Sequence, residues 1–567
     1  MCGICGGNDL HRNYESGINA ISHRGPDGMR LETYPLGISM GFCRLAIIDL
    51  SEKAMQPMSS KDGRIHLVFN GEIYGYRDII NRYIKNTSYN LMTSSDTEVI
   101  LALYEIYGEK FIGYIDGMFS IVIYDERKQK LLLYRDRVGI KPLYYYLSGD
   151  SLLFASELKS IKAMLKNNEI VIDNSAVYDF FSYGYIPEPK TLYKNVYKLE
   201  PAHCLRYDIC RNKVERIYSY WELNVNDKKI GRRNLQEIEE QYRFLVQKSV
   251  REQLVSDVPV CVFFSGGVDS GILAYETKKV NAEVETYSIG FADKRYSEEK
   301  FIVEFAKEVG IKNNIDILED EIIGDVYYKS YRDWFDEPFD DLTAIPTYLL
   351  SSVAAKNVKV ALSGDGNDEL FGGYCSHQAY YLWVKGGIRN RLDFCFRHPK
   401  CENFNGKYLD AGMMYYAELY GCIPDCYRKI KKRRMGLSED YDEYWFYRKH
   451  WRTDLPPYTR VRYADFMTYL PGDILTKTDR SSMAVSLEVR VPFLSRDLVE
   501  FSFSLAEEEC NRHGEMKGIV KGSYSTLLSD TLLHRKKHGF TVPHESIKAT
   551  RNSGKNKRWC LYDDLWG

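Results

Sequence analysis

Two domains are predicted for this 567-residue sequence: a sheet-rich α+β half, followed by an α/β half with a helix-covered parallel sheet and added helices. Three observations predict them. Short apolar runs closed by turn residues fill the chain up to about residue 210. A polar, charged stretch, NVNDKKIGRRN at 224–234, interrupts that pattern. Beyond it strand-like and helix-like runs alternate, as a parallel sheet requires. The length also exceeds what one hydrophobic core usually serves. The boundaries are drawn at 2–210 for the first domain, 211–234 for the linker and 235–567 for the second domain.

In the first half, ISMGFCRLAIIDL, RIHLVFNGEIY, FSIVIYDERKQKLLLYRDR and SLLFAS are apolar blocks bounded by NG, DG or GD, which predicts buried strands. SDTEVILALYEIYG carries Val99, Leu103 and Ile106 at helical spacing, with Asp96 and Thr97 as start signals. In the second half, LQEIEEQYRFLVQKSV places Leu235, Ile238, Tyr242, Leu245 and Val246 on one helical face. The run VPVCVFF reads as a buried strand, followed by the strand EVETYSIGF, the helix SEEKFIVEFAKEVG and the strand VKVALSG. The last third is helical and rich in tyrosine.

Charge excludes some partners. Lys+Arg 77 against Asp+Glu 79 gives a net charge of −2, so no overall field draws the chain to nucleic acid or an anionic membrane. No apolar run is long enough to span a bilayer. MCGICGGNDLHR lacks the basic start and apolar stretch of a signal peptide, which predicts a cytoplasmic protein. The 13 cysteines read as reduced thiols.

MCGIC itself has three readings: a C-x-x-C redox or metal pair, an exposed nucleophile at Cys2, or two small apolar residues opening a buried strand. VFFSGGVDS (262–270) is more specific. A strand ends in Ser265, Gly266 and Gly267 and a helix begins near Asp269 and Ser270, so backbone N–H groups are offered to an anion. Asp269 stands where Mg²⁺ on a bound phosphate would take a carboxylate. LSGDGNDELFGGY (362–374) again follows a strand, and its crowded carboxylates call for a cation. Asp368 would join Asp269 on Mg²⁺, and Asp365 would position a reacting substrate.

SGGVDS resembles the pyrophosphate loop of the N-type ATP pyrophosphatases, and the two loops in this order resemble the asparagine synthetase family. HRGPD (23–27), RLAIID (44–49), QPM (56–58), NGEIY (70–74), SSDTEV (94–99) and RDRVGIKPLYY (135–145) match the glutaminase pattern of its glutamine-dependent members. The resemblance implies an αββα N-terminal nucleophile amidotransferase sandwich before an adenine nucleotide α-hydrolase-like domain. Removal of Met1 would leave Cys2 as nucleophile, with its own amine, of ordinary pKa about 7.7 to 8.0, as base.

By the same resemblance Asn70 and Gly71 form the oxyanion hole, Arg44 holds the glutamine carboxylate, and Glu72 and Asp96 face its α-amino group. Cys5 becomes a packing residue. Phe264 and Ile289 meet adenine, while Ser265, Gly266, Gly267, Ser270, Ser363 and Gly364 surround ATP and pyrophosphate. Lys517 neutralises the leaving pyrophosphate, with Arg535, Lys536 and Lys537 as a further basic group. Asp365 departs from a family position often held by glutamate. The implied substrates are glutamine, ATP with Mg²⁺, and a carboxylic acid, with aspartate as the default and a uronic acid or specialised metabolite as the rival. The resemblance also admits a homodimer, and a catalytically silent scaffold of the same fold stays open.

Overall fold

The computed structural model describes residues 2–225, 234–293, 295, 297–391, 410–421 and 432–535. The first domain contains two six-stranded antiparallel sheets. In spatial order one runs Val196–Lys198, Tyr144–Ser148, Ser151–Ala155, Gly3–Gly7, Ile38–Arg44, Gly28–Tyr34. The other runs Lys213–Ser219, His203–Asp208, Lys130–Arg135, Gly117–Asp125, Ile65–Ile73, Met58–Ser59.

Their inner faces share one core. Ile4, Met40 and Phe42 of the first sheet meet Val68, Val122 and Leu133 of the second. The outer face of the first sheet packs under helices Tyr14–Asn19 and Leu158–Met164, and that of the second under helix Asp96–Tyr107. This is the expected α/β/β/α sandwich. Strand alternation also separates the two N-terminal cysteines: Cys2 and Ile4 belong to the inter-sheet core, while Cys5 points to the helix side against Tyr14 and Ile18.

Two sequence expectations change here. Lys213–Ser219 falls inside the segment assigned to the linker, yet it is the edge strand of the second sheet, paired antiparallel with His203–Asp208. Its largely exposed residues give little apolar signal. The Asn70-Gly71 dipeptide also does not close its strand. Ile65–Ile73 continues through it, pairing Asn70 with Ser120 and Gly71 with Phe119.

In the second domain the helix Leu235–Gln253 precedes a five-stranded parallel sheet in the order Lys312–Leu318, Glu285–Phe291, Val260–Phe263, Val360–Leu362, Glu488–Arg490. The chain leaves Val260–Phe263 toward one neighbour and returns on its other side. The crevice at this reversal, beyond the carboxyl ends of Val260–Phe263 and Val360–Leu362, is where open α/β sheets bind ligands. Both glycine-rich loops leave from those two ends. Among the described residues no helix is long and apolar enough to cross a membrane.

Candidate active sites

Cys2 immediately precedes the strand Gly3–Gly7 and borders an open cleft shared with Arg44, Gln56, Gly71, Glu72, Asp96 and Glu488. Its backbone N–H donates to Asn70 Oδ1 at 2.9 Å. Asn70 is fully buried, and its other amide atom, Nδ2, is a donor without a hydrogen-bond partner among the described residues. A buried, unspent donor beside a nucleophile is the kind of group that an oxyanion engages. Gly71 is required by its neighbours. At φ +154° a Cβ there would lie 2.0 Å from the Met118 carbonyl oxygen. Burial pushes the Cys2 thiol up, while the positive amino terminus and a backbone hydrogen bond from Leu45 act against it.

The expected glutamine ligands lie in the same cleft. Asp96 begins the helix capped by the Ser95 side chain and accepts from the Ile73 N–H at 3.0 Å; burial raises its pKa to about 6. Glu72 is also pushed well above its usual range, chiefly by burial, with Asp96 and Glu488 adding to the rise and Arg490 opposing it. Arg44 lines the cleft too, but its terminal nitrogens already donate to the carbonyls of Ser51, at 2.8 Å, and Asp49, at 2.5 Å. Its guanidinium is thereby fixed by the loop that follows its strand.

The second site lies in the crevice of the parallel sheet. Ser265 and Ser270 side chains meet at 3.2 Å across the turn, and Gly267 caps the helix Val268–Val280. Gly266 takes φ +74°, and its carbonyl accepts from Arg535 Nη1 at 2.9 Å. Lys536 and Lys537 lie outside the described residues. Asn367 Nδ2 donates to Asp269 Oδ1 at 2.6 Å. The other oxygen of Asp269 pairs with Lys517 Nζ, which also contacts Asp368 Oδ1 at 2.6 Å.

The carboxylates of Asp269 and Asp368 therefore converge on one positive atom. Oxygen donors of this kind suit Mg²⁺, which takes one or two carboxylates together with phosphate. The pair fits the expected ion, although no group of three or more His, Cys, Asp or Glu gathers among the described residues. Phosphate and water would have to complete the shell. Lys517 holds a left-handed backbone at φ +58°, rare for a side chain larger than glycine's, at the start of helix Gly518–Tyr524. Gly373 leaves room for the cluster, since a Cβ there would lie 1.7 Å from Asp368 Oδ1.

Asp365 Oδ2 accepts from Ser363 Oγ at 2.9 Å and from Thr478 Oγ1 at 2.8 Å. Gly364 faces Asp269 and the Ser270 backbone, joining the two loops. Ile289 lies on the adjacent strand Glu285–Phe291. Phe264 directly follows the strand Val260–Phe263. Its ring is fully buried, 4.8 Å from that of Phe305.

Sequence reasoning missed the residues between the sites. Arg24 is fully buried: it donates to the Cys2 carbonyl at 3.1 Å, to Glu157 at 2.8 Å and to Asp479 of the second domain at 2.9 Å. Lys141 lies 3.7 Å from Asp479, and burial lowers its pKa to about 8. Arg490 reaches Glu72 from the far edge of the parallel sheet. The quoted motifs HRGPD and SLEVRVPFL contain Arg24, Glu488 and Arg490, but nothing in their local spacing announces a partner hundreds of positions away.

Comparison with known proteins agrees with both halves. The Glutamine amidotransferase domain family matches residues 1–221, and the Asparagine synthase family matches residues 241–557. "Asparagine synthetase [glutamine-hydrolyzing] 1" of Bacillus subtilis is 33% identical over 92% of this chain and 82% of its own length. "Putative asparagine synthetase [glutamine-hydrolyzing] 2" of Methanocaldococcus jannaschii is 36% identical over 70% of this chain and 79% of its own. "Amidase chry2" of Gibberella zeae is 33% identical over 64% of this chain and 56% of its own. With one family matched on each domain and such identity carried along most of the chain, this protein belongs to the asparagine synthase family, as a glutamine-dependent amidotransferase of the glutamine-hydrolysing asparagine synthetase type.

Proposed function

We propose that the protein makes asparagine from aspartate, with glutamine as nitrogen donor and ATP cleaved to AMP and pyrophosphate. The observation that carries the donor half is the Cys2–Asn70 pair, a thiol whose neighbour keeps one buried amide donor unspent. With Met1 removed, the Cys2 amine takes the thiol proton and sulfur attacks the glutamine side-chain amide. Asn70 Nδ2 and the Gly71 region receive the charge on the tetrahedral oxygen. Ammonia leaves, and water hydrolyses the thioester to glutamate. Glu72 and Asp96 attract the glutamine ammonium, and Arg44 faces its carboxylate.

In the second site the aspartate β-carboxylate attacks the α-phosphorus of ATP, giving an acyl-adenylate and pyrophosphate. The loop Ser265–Ser270, with Ser363 and Gly364, binds the phosphates. Asp269 and Asp368 would hold Mg²⁺, which offsets phosphate charge when bound. Lys517 exchanges its carboxylate partners for the departing pyrophosphate. Asp365, oriented by Ser363 and Thr478, positions the acid and the incoming ammonia. Ammonia then displaces AMP.

Aspartate is favoured by the identity spread along 82% of the Bacillus subtilis relative. The similarity to Amidase chry2 supports a second reading, amidation of a different carboxylic acid by the same chemistry. ATP/pyrophosphate exchange across a panel of carboxylic acids tests the choice. Exchange stimulated by aspartate above all others is expected. Exchange driven by another acid, with aspartate inert, selects the second reading, and none with any acid refutes both.

A further inference from the structure

The strand Glu488–Arg490 is the last of the parallel sheet, yet both its terminal side chains face the first domain. Glu488 borders the cleft beside Cys2. Arg490 has no exposed surface, and every branch of its guanidinium is spoken for. Nε donates to Glu488 Oε1 at 2.7 Å, Nη1 to the carbonyls of Gln253 at 2.6 Å and Val255 at 2.7 Å, and Nη2 to Glu72 Oε2 at 3.0 Å. A planar fork held at this many points has one orientation. The same residue also touches the other site through its main chain: its carbonyl accepts from the Ser363 N–H at 2.8 Å, where the Asp365 loop begins.

We propose that Arg490 is a positioning residue for glutamine, orienting the Glu72 carboxylate in the Cys2 cleft, so that the synthetase sheet completes the glutaminase site. The inference rests on reading that cleft as the glutamine site. Glu72, Asp96 and Glu488 gather three buried carboxylates around it, and like charges at such range repel. Among the described residues Arg490 touches two of them. Its loss would leave Glu72 free to rotate away from the substrate ammonium or to take up a proton. The strand is tied to Ser363, so the placement of Glu72 is referenced to the adenylation loop.

Full-length Arg490→Gln and Arg490→Lys test this. KM and kcat for glutamine hydrolysis are measured beside synthesis from glutamine and from ammonium in the same preparations. Losing one charged hydrogen bond predicts a KM for glutamine raised about tenfold or more in Arg490→Gln, with a smaller fall in kcat and a lower ratio of glutamine-driven to ammonium-driven synthesis. Arg490→Lys recovers part of the KM. An unchanged KM, or equal loss of both syntheses in both variants, overturns the proposal. Should Arg490→Gln not fold, Glu72→Gln with Arg490→Gln leaves that pair uncharged. Its KM should equal that of Glu72→Gln alone, because Arg490 acts through Glu72, and a further rise overturns the proposal. Wild-type protein that does not hydrolyse glutamine defeats the reading of the cleft itself; hydrolysis with an unresponsive Arg490 defeats only this inference.

Discussion

Asn70 holds the backbone of Cys2 through its carbonyl oxygen, at 2.9 Å, and its buried amide nitrogen has no hydrogen-bond partner among the described residues. In the proposed function one side chain thereby fixes the nucleophile and reserves a donor for charge that exists only during reaction. Asn70→Ala should lower kcat for glutamine hydrolysis by about 10²-fold to 10³-fold with a smaller change in KM. Steady-state glutaminase kinetics check this, and a loss confined to KM would remove the donor from the transition state.

In the proposed function Cys2 serves only to release ammonia. Cys2→Ala should abolish glutamine-driven synthesis while ammonium-driven synthesis persists. Measuring AMP formation with each nitrogen source separates the two. Loss of both in equal measure would count against the division of labour.

Asp96 has a pKa raised to about 6 by burial, so it is ionised at neutral pH and neutral in mild acid. A carboxylate that attracts the glutamine ammonium loses that attraction on protonation. KM for glutamine should therefore rise as pH falls below about 6, approaching about tenfold per unit from this group. Asp96→Asn should flatten that limb while raising KM at pH 7.

Asp269 and Asp368 meet at Lys517 Nζ. Replacing either by Asn, or chelating divalent cations, should stop ATP/pyrophosphate exchange while Cys2-dependent glutamine hydrolysis continues. Exchange at the normal rate in either variant would remove that carboxylate from the metal site.

Gly373→Ala would push a methyl group to 1.7 Å from Asp368 Oδ1 and 2.2 Å from Lys517 Cε. The cluster must then shift, and adenylation should fall well below the wild-type rate with the melting temperature little changed. Exchange assays beside a thermal melt decide it. A collapse of the melt would make Gly373 a folding position.

Much of this was legible because the chemistry is local. The turn after Val260–Phe263 and the loop after Val360–Leu362 carry their glycines and carboxylates within a dozen positions, and strand alternation alone sends Cys2 and Cys5 to opposite faces. The edge strand Lys213–Ser219 was hidden because an exposed edge needs little apolar residue. Glu72 and Arg490 are 418 positions apart, and Arg24 and Asp479 are 455 apart. Such pairings depend on how two finished domains dock, which no spacing rule encodes.

The Arg24 guanidinium, sealed between Glu157 and Asp479, restricts how this protein can be rebuilt by recombination. A glutamine-cleaving module grafted onto a different acceptor would keep Glu157 but lose Asp479, leaving this interior guanidinium with one fewer acid. Any viable chimera must inherit the acidic counterpart along with the module, so the seam available for exchange runs through an ion pair and both partners travel together.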